Sequence, residues 1–400
     1  MNSKKGNEKF PFFILNNLII MAKEINNVPS NDKIRKPIAK KEYSLDNFKK
    51  KAGIEDFPDK PLIWIIMSKG FRKACGLPGF AKGYVNQVRG HTNTGKSTAI
   101  CEVLVEAQKM GMLPIFIDTE NNMGKGNYRL TELGFDFNNY IRIDNDYLLQ
   151  NFGKIQDKDR KEAAIEDLAK CFYYFLNMQA AGELPYDLLF AVDSIGTLNC
   201  IKTINALEKD DAQNNMWNAG AYEKAFMYLL NNTIPSSRKT NKPYTNTVVA
   251  TQKIWIDNMN KGVVKHKGGE TWNLGARLIY HFGGIITHGT KAATADSKKR
   301  TVSYGIETKI GVAKNHVDGP LGGISMEGRI VSTPLGFVAP EDVDEFKKKH
   351  ILYFRNLFED DSINADDITL STKEIDANGK ISFAEDFVQK SPEITETENE

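Results

Sequence analysis

Val88-Arg89-Gly90-His91-Thr92-Asn93-Thr94-Gly95-Lys96-Ser97-Thr98 is the stretch on which the reading of this chain turns. The run G-x-x-x-x-G-K-S lies between an apolar segment, Tyr84 to Val88, that reads as a strand, and a segment, Ala99 to Ala107, that reads as a helix. Strand, glycine loop and helix in that order are the setting in which this motif holds nucleoside triphosphates. The glycines let the backbone curl so that successive N–H groups of Gly90, His91, Thr92, Asn93, Thr94, Gly95, Lys96, Ser97 and Thr98 point inward at the phosphates. Lys96 adds a point charge, and the Ser97 hydroxyl is placed for Mg²⁺, which keeps much of its octahedral shell as water and phosphate oxygen.

Outward from the loop, strands and helices alternate. Leu113 to Asp118, Leu188 to Asp193 and Thr247 to Thr251 read as strands, with Lys161 to Met178 and Ala219 to Asn231 as helices between them. That order predicts an α/β core with a mostly parallel central sheet flanked by helices. Arg277 to Thr287 and Ser303 to Lys314 read as later strands, joined by a polar excursion at Lys291 to Thr301. Upstream, Leu62 to Met67 is an apolar run, and Ser44 caps a short amphipathic helix.

A triphosphate site needs a second partner for its magnesium and a group to orient the attacking water. Leu188-Leu189-Phe190-Ala191-Val192-Asp193 ends an apolar strand in an acid, which puts Asp193 at the carboxyl edge of the sheet. Ile115-Phe116-Ile117-Asp118-Thr119-Glu120 delivers acids to the same edge, and Glu120 is the candidate for polarising water. Gln252, just past Val248-Val249-Ala250-Thr251, is placed to hydrogen-bond the γ-phosphate and report it to the following loop.

That loop, residues 253–272, reads as irregular and carries Lys253, Trp255, Lys261, Lys265, His266, Lys267 and Trp272 around Gly262, Gly268 and Gly269. Cations track nucleic-acid phosphates while aromatic rings stack on bases. The chain as a whole is nearly neutral, with 53 Lys and Arg against 51 Asp and Glu, so DNA affinity must come from such a local surface.

These parts, taken in order, resemble the RecA family of recombinases, closest to its bacteriophage UvsX-like branch. The resemblance runs from about Gly76 to Phe337 and rests on Gly76-Leu77-Pro78, the loop Gly90 to Thr98, Phe116 to Glu120, Val192-Asp193-Ser194, Gln252, Gly268-Gly269 and Val312-Ala313-Lys314-Asn315. It implies ATP and Mg²⁺ as cofactors, Glu120 as catalytic glutamate, Tyr128 stacked on the adenine and Gln252 coupling nucleotide to DNA. It also implies that Lys314 reaches the γ-phosphate of a neighbouring subunit; His316 stands where the family carries a second lysine. The loop after Gln252 would be the second DNA loop. The first would follow Ser194, around Asn199 to Trp217, where Lys202 and Lys209 are offset by Glu208, Asp210 and Asp211. The expected partners are single-stranded DNA, homologous duplex DNA, further copies of the chain in a helical filament, and single-strand-binding and mediator proteins, with no membrane.

The expected location is the cytoplasm, that of a bacterial host if the chain is phage-encoded. Four scattered cysteines without a C-x-x-C pair fit reduced thiols. The apolar run Phe10 to Met21 is interrupted by Asn16-Asn17 and is too short to span a bilayer. Residues 1–20 read as an upstream extension or loose arm before Met21. The expected organisation is an arm and oligomerisation helix over 1–60, the ATPase core with its DNA loops over 61–337, and a small segment over 338–400 with an acidic tail. Within that segment, Glu374 to Glu385 nearly fits a calcium loop but begins on Glu, and Asn378-Gly379 between apolar alternations favours a hairpin. A ring-forming helicase, a filament that binds ATP without turnover and a small-molecule kinase share the phosphate loop. The first usually needs a separate N-terminal assembly domain, for which residues 1–60 read as too short; the second is opposed by intact Lys96, Asp193 and Glu120, and the third leaves the Lys- and Trp-bearing loop unexplained.

Overall fold

A computed structural model describes residues 44–54, 57–124, 127–153, 160–207, 220–223, 233–257, 263–267, 271–292, 300–318, 328–350, 374–375 and 381–382. The chain divides into two units, Met1–Asp56 and Phe57–Glu400. In the first, helix α1 (Leu45–Lys51) starts where the sequence places it: the Ser44 hydroxyl accepts from the Asn47 N–H, and three lysines close the last turn.

The second unit is built on a ten-stranded sheet. Strands β3 (Val85–Gly90), β4 (Leu113–Asp118), β5 (Ile141–Asp144), β6 (Leu188–Asp193), β7 (Thr247–Asp257), β9 (Leu278–Ala292), β10 (Arg300–Asn315), β11 (Gly328–Thr333) and β12 (Gly336–Val338) lie in the order β12-β11-β10-β9-β3-β7-β6-β4-β5, and β8 (Val263–His266) pairs with β7. From β9 through β5 every pairing is parallel, whereas β9 to β12 run antiparallel. The sheet is therefore mostly parallel, with an antiparallel flank. A small ribbon of β1 (Trp64–Ile66) and β2 (Gly79–Ala81) precedes it, with helix α2 (Lys69–Cys75) between them.

Helices cover both faces, which is why the central strands read as unbroken apolar runs. Phe116, Leu189, Ala191 and Val249 point to one side, against Ala99, Ile100, Val103 and Leu104 of helix α3 (Lys96–Lys109). The alternate residues Ile115, Ile117, Phe190, Val192 and Val248 point to the other, against Leu168, Phe172 and Phe175 of helix α4 (Ile165–Ala180). Period-two alternation thus survives in which helix each side chain meets.

Parallel register aligns the strand ends. Asp118 pairs with Asp193, and Gly90 with Lys253. The Gly90 to Thr98 loop, both acids and Gln252 consequently share the carboxyl edge, where open α/β sheets leave a crevice.

Two regions differ from expectation, and a third follows it. Residues 253–257 continue β7 and 263–266 return as β8, so the stretch expected to be irregular contains an antiparallel hairpin. Strands β9 and β10 run on to Ala292 and from Arg300, so both ends of the expected excursion at Lys291 to Thr301 are strand, while residues 293–299 lie outside the described residues. Strands β13 (Glu374–Ile375) and β14 (Ile381–Ser382) pair antiparallel, as a hairpin requires. Residues 1–43, the tail beyond 382, most of the first DNA loop and residues 219 and 224–231 of the expected helix lie outside the described residues.

Candidate functional site

Strand β3 delivers Gly90 into a place no other residue fits: a Cβ there would lie 2.8 Å from both the Phe282 carbonyl oxygen and Thr94 Oγ1. Gly95, at φ +100°, turns the chain into α3, whose first residue is Lys96. Lys96 Nζ donates to the His91 carbonyl oxygen at 2.5 Å, and Thr94 Oγ1 donates to the same oxygen at 2.8 Å. Burial lowers the Lys96 ammonium to about 8, while Asp193 and Glu120 pull it back up.

Asp193 is buried at the end of β6. Thr251 Oγ1 donates to its Oδ1 at 2.5 Å, and Ser97 also hydrogen-bonds its carboxylate. Burial raises its carboxyl above the ordinary range, against those two hydrogen bonds. Its Oδ2 is buried with no hydrogen-bond partner among the described residues. An orphaned carboxylate oxygen beside a serine hydroxyl suits a hard divalent cation. Among the described residues no three His, Cys, Asp or Glu side chains form a cage of their own. The donor set therefore fits Mg²⁺ shared with phosphate oxygens and water.

Glu120 stands across from this pair. Its Oε1 accepts from Ser194 Oγ at 2.7 Å and its Oε2 from Asn122 Nδ2 at 2.8 Å, which fixes the carboxylate plane. Asp118 holds the local backbone in place. Its oxygens accept from the Asn122 and Met123 N–H groups and from Arg142 Nη2, pinning the loop that carries Glu120. Lys253, expected on the DNA side, has its ammonium 3.9 Å from Glu120 Oε1 and so also faces the acids.

A pocket of about 250 Å³ opens beside the loop, lined by Asn93 to Thr98 on one wall and by Gly305, Ile306 and Ser332 to Pro334 on the other, with Arg129 at its margin. Thr98 and Ser332 hydroxyls meet at 2.6 Å and join the walls. Tyr128, expected on the adenine, is 44% exposed and is not among the lining residues; its neighbour Arg129 is. The Ser332 wall has no signal in the sequence, because Ser332 lies 234 residues from Thr98 along the chain.

Trp255 lies directly opposite Lys265 on the β7–β8 hairpin, and both are exposed. This pairing sets a ring and a cation on one face of the ribbon. Trp272, grouped with them from the sequence, is instead 1% exposed and packs in the core with Ile195 and Ala276. It belongs to the fold, and no base can reach it. Lys267 is half-buried and donates to Asn199 Oδ1 at 2.6 Å, which ties the base of the hairpin to the segment after Ser194. Lys261, Gly268 and Gly269 lie outside the described residues.

Gln252 is fully buried. Its Oε1 accepts from Gln87 Nε2, and its Nε2 donates to the Lys267 carbonyl oxygen. Lys314, on β10, donates to the carbonyl oxygens of Asn273 at 2.5 Å and Leu274 at 3.3 Å. Burial and the nearby Arg277 lower its ammonium. His316 is exposed, its N–H bonded to the Arg277 carbonyl.

Comparison with known proteins bears on this arrangement. The chain is 31% identical over 121 residues to the RecA protein of Mycoplasma mobile, a stretch covering 30% of this chain and 33% of that protein. It is 35% identical over 69 residues to RecA of Mesoplasma florum and over 72 residues to RecA of Clostridium tetani, each about a fifth of the relative. Over these stretches the chain is similar to RecA proteins. It spans between 20% and 33% of the length of these RecA relatives. No protein-family model matches the chain.

Proposed function

We propose that this chain is an ATP-dependent DNA recombinase of the RecA kind, nearest the bacteriophage UvsX-like branch. It would assemble as a helical filament on single-stranded DNA and exchange strands with a homologous duplex. The observation that carries the reading is Gln252: one buried amide at the phosphate edge is hydrogen-bonded to the base of a hairpin that exposes Trp255 and Lys265.

In this reading the backbone of Gly90 to Thr98 cradles the ATP phosphates, and Lys96 leaves the His91 carbonyl to meet them. Ser97 and Asp193 hold Mg²⁺, which when bound neutralises charge building on the transferred phosphoryl group. Glu120, oriented by Ser194 and Asn122, positions the attacking water and takes its proton. Lys314 serves a neighbouring subunit's nucleotide. Trp255, Lys265 and the ends of the hairpin hold the strand, with Lys253, Lys261, Lys267, Gly268 and Gly269 at its margins. The unit of residues 1–60 docks copies together, residues 61–337 form the working core, and 338–400 form a small appendage. The proposed location is the cytoplasm, a bacterial host's if phage-encoded; no helix among the described residues is long and apolar enough to cross a membrane.

Electron microscopy of the chain with single-stranded DNA and a non-hydrolysable ATP analogue tests this directly. Helical filaments are expected. Closed rings would transfer the reading to a helicase, and free monomers would refute both.

A further inference from the structure

A row of hydrogen-bonded groups leads from the strand that feeds the phosphate loop to the cation on β10. Gln87, three residues before Gly90, donates its Nε2 to Gln252 Oε1, which fixes which end of the Gln252 amide faces the hairpin. Gln252 Nε2 then lies 3.3 Å from His266 Nδ1, at the end of β8. His266 Nε2 lies 2.9 Å from the Asn273 side-chain amide. The backbone carbonyl of that same Asn273 accepts from Lys314 Nζ at 2.5 Å.

A neutral imidazole has one acceptor and one donor nitrogen, and this position asks for both. Nε2 accepts from Asn273 Nδ2, and Nδ1–H is left to donate to the Lys267 carbonyl oxygen at 3.4 Å, the same oxygen that accepts from Gln252 Nε2. No aliphatic side chain can bridge a carbonyl and an amide in this way.

We propose that His266 is a positioning residue. By joining the Lys267 carbonyl that Gln252 also holds to Asn273, it sets the Thr271–Gly275 helix, and through that helix the Lys314 ammonium, according to whether the phosphate site is filled. This rests on the reading of Gly90 to Thr98 as a nucleotide site. Coupling then runs through a contiguous hydrogen-bonded path within one subunit, not through DNA alone.

Hydrogen exchange of the full chain, with and without Mg²⁺ and a non-hydrolysable ATP analogue, tests it in wild type, His266→Leu and His266→Gln. Glutamine carries an acceptor and a donor and should partly rescue. In wild type the analogue should slow exchange both at 90–98 and at 271–275. In His266→Leu, protection at 90–98 should stay within about twofold of wild type, while that at 271–275 falls about tenfold. Equal protection of 271–275 in wild type and His266→Leu overturns the proposal, as does equal loss in the Leu and Gln variants. If wild type shows no protection at 90–98, the nucleotide reading itself has failed. Should His266→Leu lose protection across 247–257, the hairpin has unfolded, and His266→Gln with Asn273→Ala decide by the same comparison.

Discussion

Glu102 offers a test of how the phosphate-loop helix is held. It lies on α3 and is buried, its Oε1 accepting from the Phe337 N–H at 2.5 Å and its Oε2 from the Ser68 N–H at 3.3 Å. It thus joins the helix that begins at Lys96 to α2 and to β12. Burial raises its carboxyl to about 7 from 4.5, outweighing those hydrogen bonds. A raised folded-state value means that the folded protein holds the proton longer than the unfolded chain. The stabilisation is complete below the unfolded value and is lost as pH climbs through about 7. Integrating between about pH 5 and about pH 8, this group removes roughly 2–3 kcal/mol. Glu102→Gln keeps an acceptor for the Phe337 N–H and cannot ionise. The difference in melting temperature between variant and wild type should therefore widen by several degrees towards pH 8 in the variant's favour. Parallel pH profiles for the two proteins would refute the reasoning.

Three further outcomes are expected. Glu120→Gln should preserve binding of a fluorescent ATP analogue while DNA-stimulated turnover falls by roughly 10²–10⁴, and turnover within a few-fold of wild type would remove Glu120 from its role. Thr251→Val takes a hydrogen bond from a buried carboxylate and should weaken Mg²⁺-dependent nucleotide binding by about 1.5–3 kcal/mol in a magnesium titration. Lys265→Ala should weaken single-stranded DNA binding and flatten its salt dependence by about 0.7 in the log–log slope, with nucleotide affinity unchanged; an unaltered slope counts against a DNA-facing hairpin.

The parts legible in the sequence are those set by local pattern. Strands β4 and β6 begin and end at the residues that the apolar runs predict, and Ser44 and the Gly90 loop mark their helices because capping and turning are short-range. Long-range pairing is what a single sequence hides. Val263-Val264-Lys265-His266 becomes a strand because β7 extends beneath it, and nothing in four residues says so. Trp272 reads as a stacking platform because it sits among lysines and glycines, yet one turn of helix swings it into the core. Arg129 and Ser332 reach the pocket through folding alone. His266 is visible in the sequence only as one basic residue in a row, since the side-chain amides it connects lie 14 residues upstream and 7 downstream.

The hydroxyl pair Thr98 and Ser332 spans 234 residues of chain. On the ribosome the glycine loop and its helix emerge long before the antiparallel flank that supplies the opposite wall. A growing chain therefore has the glycine loop but no second pocket wall until β11 arrives, and closing so distant a contact is slow. Nucleotide that binds only the finished pocket favours completed molecules over partly folded ones by mass action. Arrested or truncated products, which lack the second wall, would gain no such stabilisation.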